Sequence, residues 1–299
     1  MSRRLLTVAL LLTGCATGTP HQEPDSSAAS FALLGDAPYS QPHANLFDDM
    51  VDEINQAKPA FVAHLGDITS GRGPCTDDWF DARKAQFARF AVPFVLVPGD
   101  NEWTDCHRTG FDPLERLGKI RALFHSHSPA LPEFSRQSSA RPEHMRWRFG
   151  GTLFIALNVP GSNNNLGRTP QMDAEYAARM VAVFEWLEQA VRLAATPRFQ
   201  TLVVLFHANP DFEGMRKPHG IADGYETLRA ALEKAARKLG KPVVVAHGDT
   251  HRFKNDQPMA NIPNLFRIEV DGWPALGWLT VQRSLSGPAP FLATRILHH

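Results

Sequence analysis

The chain has 299 residues, of which 43% are hydrophobic and 21% are charged, enough apolar material for one large domain or two small ones. Its 31 lysines and arginines balance 31 aspartates and glutamates. No global electrostatic field therefore draws the chain to a nucleic acid, and we expect no nucleic-acid partner. The composition does not change along the mature sequence, which predicts a single domain over residues 31–299 and fixes no oligomeric state.

The amino terminus has the pattern of a secretory signal. Arg3 and Arg4 precede an apolar run over residues 5–12, which is too short to span a bilayer permanently. The run ends in Leu-Thr-Gly-Cys15, which resembles the lipobox of bacterial lipoproteins. The sequence thus predicts a signal peptide over residues 1–14, and the resemblance implies membrane attachment through a lipidated Cys15.

For the amino-terminal segment, the alternative to lipidation is an ordinary signal peptide cleaved after a small residue such as Ala16 or Gly18. The polar residues 15–30 include Pro20 and Pro24, which predicts a disordered tether. By analogy with lipoprotein sorting, Ala16 after the cysteine favours an exported protein anchored in the outer membrane and facing the periplasm.

Strands and helices alternate over the next part of the chain. In order, the hydrophobic periodicity predicts a strand at 31–34, a helix at 41–57, a strand ending at 65, a helix near 77–90 and a strand beginning at 95. This alternation favours parallel crossovers and a layered α/β fold.

The second half of the chain continues with mixed elements. The patterns predict a helix within 111–125, an irregular stretch at 125–142, paired strands at 145–149 and 152–158, amphipathic helices around 176–191 and 228–235, and strands at 265–270, 276–281 and 291–297. Between them, residues 161–165 predict a surface loop. Its asparagines either donate hydrogen bonds to a ligand or form only a turn.

Polar side chains recur at the ends of the apolar runs. The runs stop at Gly-Asp36, at Gly-Asp67, at Pro-Gly-Asp100-Asn101-Glu102, at His207 and at His247-Gly-Asp249-Thr-His251. Because the carboxyl ends of parallel strands share one edge of a sheet, these carboxylates and imidazoles should lie close together. Their number and type indicate a metal-centred hydrolase.

The ordered motifs GDAPY, GDITSG, PGDNEW and HGDTH, together with the lone His207, resemble those of the calcineurin-like metallophosphoesterase superfamily. That family presents D-x-H, G-D, G-N-H-(D/E), H and G-H-x-H, each at the end of a strand. The resemblance covers most of the mature chain. It implies an α/β fold with two mixed β-sheets packed as a sandwich and flanked by helices in four layers, with two metal ions at the carboxyl edge.

The resemblance also implies a set of metal ligands. They are Asp36, Asp67, Asp100, His207, Asp249 and His251, with His247 as an alternative to Asp249. One site would hold Asp67, Asp100, His207 and Asp249. The other site keeps Asp36, Asp67 and His251, and is expected to be weaker because Pro38 replaces the family histidine. Hard oxygen donors favour manganese, magnesium, iron(II) or calcium over zinc.

The reaction implied is hydrolysis of a small phosphomonoester or phosphodiester by attack of metal-bound water. Asn101 stands at the position of the family's catalytic histidine and can donate a hydrogen bond but not a proton. His107 could replace it as the acid, with Arg108 as a phosphate clamp, unless both belong to a solvated loop.

Two other functions compete with this one. The first is a catalytically impaired, metal-bound scaffold or ligand-binding lipoprotein. The second is a hydrolase of another class that uses the same metal edge, although no G-x-S-x-G motif for a serine esterase occurs.

Cys75 and Cys106 each follow a strand end that carries a predicted ligand, so they should be near one another. In an oxidising compartment, such a pair is usually bridged. We therefore expect a disulfide between the two site loops, the alternative being two free buried thiols.

Overall fold

The computed structural model describes residues 30–214 and 222–298. Residues 1–29, which hold the predicted signal peptide, the predicted lipidation site Cys15 and nearly all of the predicted tether, lie outside the described residues. Ser30 already belongs to the first strand. Over the described ranges, no helix is both long and apolar enough to cross a bilayer.

Twelve strands and six helices make up the described chain. The strands are β1 (Ser30–Leu34), β2 (Val62–His64), β3 (Phe94–Leu96), β4 (Ser135–Ser138), β5 (Arg141–Phe149), β6 (Thr152–Ala156), β7 (Thr201–Leu205), β8 (Val243–His247), β9 (Lys254–Asp256), β10 (Leu265–Glu269), β11 (Leu276–Arg283) and β12 (Phe291–His298). The helices are α1 (Gln41–Ala57), α2 (Asp77–Phe87), α3 (Pro113–Phe124), the single turn α4 (Gly161–Asn164), α5 (Pro170–Ala194) and α6 (Glu226–Leu239), with a 3-10 helix at Thr104–Thr109.

The strands form two mixed sheets. The first has the order β12-β11-β1-β2-β3 and the second β4-β5-β6-β7-β8-β10-β9. Strands β1, β2 and β3 are parallel, as are β6, β7, β8 and β10, and the antiparallel strands lie toward the edges. Each sheet therefore presents the carboxyl ends of several neighbouring parallel strands on one side.

Three apolar clusters hold the layers together. The central cluster joins the facing sides of the two sheets, with Phe31, Phe61 and Phe154 in mutual ring contact. A second cluster packs α5 and α6 on the outer face of the seven-stranded sheet. A third packs α1 and α2 on the outer face of the five-stranded sheet. The predicted sandwich of two mixed sheets flanked by helices is confirmed.

The stretch 125–142, predicted to be irregular, contains β4 and the beginning of β5. Strand β4 is a polar edge strand of sequence SRQS, so no buried face imposes an alternation of apolar residues. Strand β5 begins with Arg-Pro followed by the buried polar pair Glu143 and His144. A pattern based on apolar burial therefore does not detect either segment.

Candidate metal centre

Six predicted ligands follow strands of both sheets. Asp36, Asp67 and Asp100 follow β1, β2 and β3 of one sheet, while His207 follows β7, and Asp249 and His251 follow β8, of the other. Four of the six adopt a left-handed backbone conformation, with φ of 52° at Asp36, 61° at Asp67, 78° at Asp249 and 61° at His251. Such residues are uncommon, and their accumulation at one edge is typical of a functional site.

The glycines of the motifs permit this close approach. Gly66 has a φ of 93°, and a Cβ there would lie 2.6 Å from the backbone nitrogen of Gly99 and 2.7 Å from His207 Nδ1. A Cβ on Gly99 would lie 2.2 Å from Asp67 Oδ1. The loops that carry Asp67 and Asp100 can thus meet only where both residues lack side chains.

The ligand atoms form two overlapping groups. One group is Asp36, Asp67 and His207, the other is Asp100, His207 and Asp249, and within each group the candidate atoms lie within 4.8 Å of one another. His251 Nε2 lies 3.5 Å from Asp36 Oδ1. The structure therefore brings all six predicted ligands into one cluster, with His207 central to both groups.

The orientation of His207 suits a metal ligand. Its Nδ1 lies 2.7 Å from the backbone oxygen of Leu65. Because a carbonyl only accepts hydrogen bonds, Nδ1 carries the proton and Nε2 is left with a lone pair in the neutral ring. A backbone partner of this kind also orients metal-binding histidines.

The Nε2 atom of His207 faces two carboxylates. It lies 3.0 Å from Asp100 Oδ1 and 3.3 Å from Asp67 Oδ1. Nevertheless, in the described part of the chain, neither Nε2 nor Asp100 Oδ1 has an aligned hydrogen-bond partner, although both atoms are buried. Buried polar atoms are normally satisfied, and a cation between these lone pairs would satisfy both, so the residues fit a divalent metal ion.

The electrostatics of the cluster also call for a cation. Burial, followed by the charges of Asp67 and Asp249 against the opposing effect of His207, raises the pKa of Asp36 well above its usual value. Burial likewise raises the pKa of Asp67. Burial opposes it, but the neighbouring carboxylates raise the pKa of His207 well above that of a free imidazole. Without a cation, a second proton at Nε2 therefore takes the place between these carboxylates that a metal ion would occupy, and the ring is neutral only when the ion is bound. Two carboxylates ~4 Å apart repel by ~4 kcal/mol at an effective dielectric of ~20, which a bound cation would offset.

Asn101 supports the loop that carries Asp100. Its backbone nitrogen donates to Asp67 Oδ1 at 3.0 Å, and its side-chain Nδ2 donates to the backbone oxygen of Thr69 at 2.9 Å. Glu102 is fully buried and accepts from the backbone nitrogen of Gly99 at 2.6 Å. One amide hydrogen of Asn101 is thus engaged within the protein, which leaves the other for a ligand.

His107 and Arg108 lie on the 3-10 helix Thr104–Thr109, which follows Asp100 in the chain. His107 Nδ1 contacts the backbone oxygen of Thr104 at 2.8 Å. Arg108 pairs with the buried Asp105 at 2.5 Å and donates to the backbone oxygen of Gly71 at 3.1 Å. Because its guanidinium is engaged by Asp105 and by the backbone oxygen of Gly71, Arg108 is a weaker anion site than a free guanidinium would be.

Sequence reasoning missed the roles of Ser162 and Asp105. Ser162 Oγ donates to Asp100 Oδ2 at 2.7 Å and lies 2.9 Å from both carboxylate oxygens of Asp105. Burial and the charge of Asp100 raise the pKa of Asp105 to about 7. A serine within an asparagine run and an aspartate within a loop carry no sequence signal of their own.

The asparagines beside Ser162 bind the protein itself. Asn163 donates to the backbone oxygen of Leu166 and Asn164 donates to that of Gly224. Together with Ser162 and Asn165, both have positive φ. The left-handed turn holds Ser162 against the cluster. Because the side chains of Asn163 and Asn164 bond to backbone oxygens of the protein, the alternative that these asparagines form a turn applies to them, rather than a role in binding a ligand.

Tyr39 also reaches the cluster. Its hydroxyl oxygen lies 3.2 Å from Asp67 Oδ2, 3.4 Å from Asp36 Oδ1 and 2.9 Å from His251 Nε2. The sequence places this residue one position after Pro38, where the family pattern has its histidine, and offers no further sign of the contact.

His247, the alternative to Asp249, lies outside both groups of ligand atoms. It is fully buried, its Nδ1 contacts the backbone oxygen of Gly248 at 2.9 Å, and its Nε2 lies 3.9 Å from Glu269. Asp249 instead belongs to one of the groups and accepts at Oδ2 from the backbone nitrogen of Asn209 at 2.8 Å.

The predicted disulfide is confirmed. Cys75 and Cys106 are bonded, with their Cα atoms 5.7 Å apart, and both are buried. Both sulfur atoms approach the backbone oxygen of Asn101, at 3.5 and 3.4 Å. The bridge therefore ties the loop after Asp67 to the loop after Asp100.

Solved structures with this fold include two phosphatases. A dimetal phosphatase from Danio rerio aligns with a TM-score of 0.58 and 14% identity, over 91% of this chain and 99% of that one. Purple acid phosphatase PPD1 from yellow lupin (Lupinus luteus) aligns with a TM-score of 0.52 and 14% identity, over 85% of this chain and 49% of that one. At this level of identity the likeness shows the fold alone.

At the sequence level, no curated protein matches the chain significantly. The family model described as calcineurin-like phosphoesterase matches residues 30–253. These residues contain β1 to β8 and all six predicted metal ligands. The chain belongs to the calcineurin-like phosphoesterase family.

Proposed function

We propose that this protein is a metal-dependent hydrolase of small phosphomonoesters or phosphodiesters. The observation that carries the proposal is the cluster of Asp36, Asp67, Asp100, His207 and Asp249 at the strand ends of the two sheets. Within it, the buried atoms His207 Nε2 and Asp100 Oδ1 have no aligned hydrogen-bond partner among the described residues. Family membership supports the same chemistry.

The residues of the cluster would hold one or two divalent ions. The donors are mostly carboxylate oxygens, so manganese, iron(II), magnesium or calcium is favoured over zinc. When bound, the ions would neutralise the phosphate oxygens and lower the pKa of the attacking water. Asp67 contacts both halves of the cluster, through Tyr39 on one side and His207 on the other, and would help to hold an ion in either half.

The chain's own residues orient the substrate around that cluster. The second amide hydrogen of Asn101 is available to a phosphate oxygen. Arg108 lies beside the cluster through its contacts with Asp105 and Ser162, and His107 precedes it on the same 3-10 helix. Asn101 cannot give a proton to the departing group, and general-acid help is typically worth ~100- to 10,000-fold. We therefore expect esters with good leaving groups to be hydrolysed faster than alkyl esters.

The competing proposal is a metal-bound scaffold or ligand-binding protein with impaired catalysis. The observation that favours it is the engagement of Asn101 with the backbone oxygen of Thr69, at the position where the family pattern has its catalytic histidine. Both proposals require the metal centre, so only turnover separates them.

Assays of aryl phosphate monoesters and diesters with manganese(II) test the proposal. Asp67→Asn should lower turnover by about 100-fold or more, because the ions supply several kcal/mol of transition-state stabilisation. Asp49→Asn changes an exposed carboxylate on α1 and should leave turnover unchanged. Metal-loaded wild-type protein that hydrolyses neither class of ester would favour the binding protein.

We also propose that the protein is exported and attached to a membrane through lipidated Cys15. The support is the sequence of residues 1–15 alone. Membrane fractionation of the full chain and of Cys15→Ser tests it: the wild type should pellet with membranes and the variant should not. Equal distribution of the two would contradict the anchor.

A further inference from the structure

We infer that Trp273 selects phosphate esters whose organic group carries a planar ring, because its indole is placed to stack on that ring beside the metal centre. The inference deepens the proposed function, since it rests on a phosphate group held at the metal centre, and it names the class of ester. Trp273 lies between β10 and β11 and is not one of the candidate metal ligands. Aryl groups and nucleobases both offer the planar face that an indole recognises.

Trp273 is the exposed tryptophan of this chain. Of the six tryptophans, four are buried and one is partly buried, whereas Trp273 is 46% exposed. Indole rings are large and amphipathic, and accessible ones are enriched where proteins bind their ligands. Packing within the chain therefore does not account for the position of this side chain.

The backbone of Trp273 is fixed against the half of the cluster that contains Asp36. Its nitrogen donates to the backbone oxygen of Asp36 at 3.3 Å, and its oxygen accepts from His251 Nδ1 at 2.6 Å. Gly272 allows this approach, because a Cβ there would lie 2.3 Å from Asp36 Cβ and 2.9 Å from the ring of His251. The indole thus projects from a residue bonded to two candidate metal ligands, and replacing the side chain removes neither backbone bond.

The indole continues a wall of rings that begins at a candidate ligand. The ring centroids of His251 and Tyr39 lie 5.5 Å apart, those of Tyr39 and His43 6.4 Å apart, and those of His43 and Trp273 4.9 Å apart. His43 is 2% exposed and supports the indole from the interior. The wall therefore offers an aromatic surface to an organic group attached to a phosphate at the cluster.

The other half of the cluster is lined by polar groups. Ser162 Oγ donates to Asp100 Oδ2 at 2.7 Å, and Arg108 pairs with Asp105 and lies 3.4 Å from Ser162 Oγ. A charged and hydroxylated surface favours phosphate oxygens, whereas an aromatic surface favours a planar organic group. Because the two surfaces contact different halves of the cluster, they orient the ester with its ring toward Trp273.

Binding of three phosphonates to manganese-loaded protein, measured by calorimetry, tests the inference. Benzylphosphonate, cyclohexylmethylphosphonate and methylphosphonate share the anionic group and have no leaving group, so leaving-group acidity does not affect the result. Benzylphosphonate should bind at least about tenfold more tightly than methylphosphonate, and more tightly than its saturated analogue, because only a planar ring stacks. It should also protect the exposed Trp273 from fluorescence quenching by acrylamide.

Variants of Trp273 separate stacking from structural support. Trp273→Leu keeps an apolar side chain without a ring and should lower benzylphosphonate affinity by about tenfold or more, with manganese content and methylphosphonate affinity unchanged. Trp273→Tyr keeps a ring and should retain most of the selectivity. Leu285→Ala changes a side chain that is 84% exposed between β11 and β12, and should behave as wild type.

The outcomes separate the inference from the proposal beneath it. Equal affinity of wild-type protein for benzylphosphonate and its saturated analogue would overturn the inference and leave the proposed function in place. So would an equal loss of affinity for all three phosphonates in Trp273→Leu, which would make Trp273 a structural support of the centre. Manganese-loaded wild-type protein that binds none of the three would contradict the proposed function itself, and the inference with it. The wild-type comparison decides the matter even if a variant fails to fold.

Discussion

Five buried histidines are held in the neutral state by the fold. Burial lowers the pKa of His43 and His144 to about 4 and that of His64, His125 and His247 to about 3. His43 and His64 fix the loop that carries Tyr39, and His144 contacts Gln137. These histidines pack in the interior as neutral rings, because burying a charge without a partner is costly.

His125 gives the simplest prediction at this scale. Its folded pKa of about 3 lies below the value of 6.5 for the unfolded chain. As the pH falls from 6.5 toward 3, the unfolded chain binds a proton that the folded chain excludes, so stability is lost at about 1.4 kcal/mol per pH unit. Both ring nitrogens lack hydrogen-bond partners among the described residues, so phenylalanine should replace the ring without leaving a donor or acceptor unpaired.

We expect His125→Phe to reduce the acid sensitivity of the protein. Between pH 6.5 and pH 5, urea unfolding should show a loss of stability smaller than in wild type by about 2 kcal/mol. His127→Phe, at an exposed position nearby, should leave the pH dependence unchanged. Identical pH profiles for wild type and His125→Phe would contradict the account of this histidine.

The residue types at the strand ends made most of the cluster predictable. Asp36, Asp67 and Asp100 each follow a buried strand, and the parallel order places those ends together. Tyr39 and Ser162 were not predictable as members of the cluster. Their contacts depend on a long side chain and on a left-handed turn, and neither leaves a periodic mark in the sequence.

The loops after β2 and β3 and the helix α5 are the elements that shape the site. The disulfide joins the two loops, and α5 supports α4 through the fully buried Arg179. Arg179 donates to Asn164 Oδ1 at 2.6 Å and to the backbone oxygen of Asn158 at 3.1 Å, and it pairs with Glu175 at 2.8 Å. The disulfide and helix α5 therefore support the candidate metal centre, because they fix the loops around Asp100.

Removal of the disulfide should weaken both the fold and the site. The bridge spans a sequence separation of 31 residues, for which chain entropy gives about 3–4 kcal/mol. A Cys75→Ala, Cys106→Ala double variant should lose stability of that order in urea unfolding. It should also bind manganese more weakly, because Asp67 and Asp100 lie on the joined loops. Equal stability and equal metal affinity would show that the bridge does not organise these loops.

The ion pair of Arg179 offers a matched comparison on one helix. Arg179→Met leaves Glu175 without its buried partner and should cost about 3–5 kcal/mol. Arg192→Met removes the exposed pair with Glu188, in which the two side chains are 57% and 62% exposed, and should cost less than about 1 kcal/mol. Equal losses in thermal or urea unfolding would contradict a supporting role for Arg179.

At the scale of elements, the parallel strands and the long amphipathic helices were predictable because burial imposes their periodicity. Strand β4 and the start of β5 were not, since the first is a polar edge strand and the second buries Glu143 and His144. Arg121 pairs with Glu143 at 2.5 Å, so hydrogen bonds and charge pairing take the place of apolar contacts there.

The cluster of candidate metal ligands joins strand ends of both sheets, so a bound ion would affect the whole molecule. His207 from the seven-stranded sheet contacts the backbone oxygen of Leu65 in the five-stranded one, and its other nitrogen faces Asp67 and Asp100. A cation bound between these residues would join the sheets and offset the repulsion of their carboxylates. Its removal should therefore lower global stability.

Chelation should lower the melting temperature of wild-type protein. An ion present at 100 times its Kd stabilises the folded state by about 2.7 kcal/mol, and excess chelator removes this contribution. Asp67→Asn should melt at the same temperature with and without chelator, because it no longer holds the ion. A wild-type melting temperature that is insensitive to chelator would indicate that no metal supports the fold.

Elemental analysis of the purified protein tests the central claim most directly. The account predicts one or two equivalents of a divalent ion in wild-type protein and in the surface control Asp49→Asn. It predicts a clear loss of bound metal in Asp67→Asn with the fold retained. Wild-type protein that holds no divalent ion after exposure to manganese, iron(II), magnesium and calcium would contradict it.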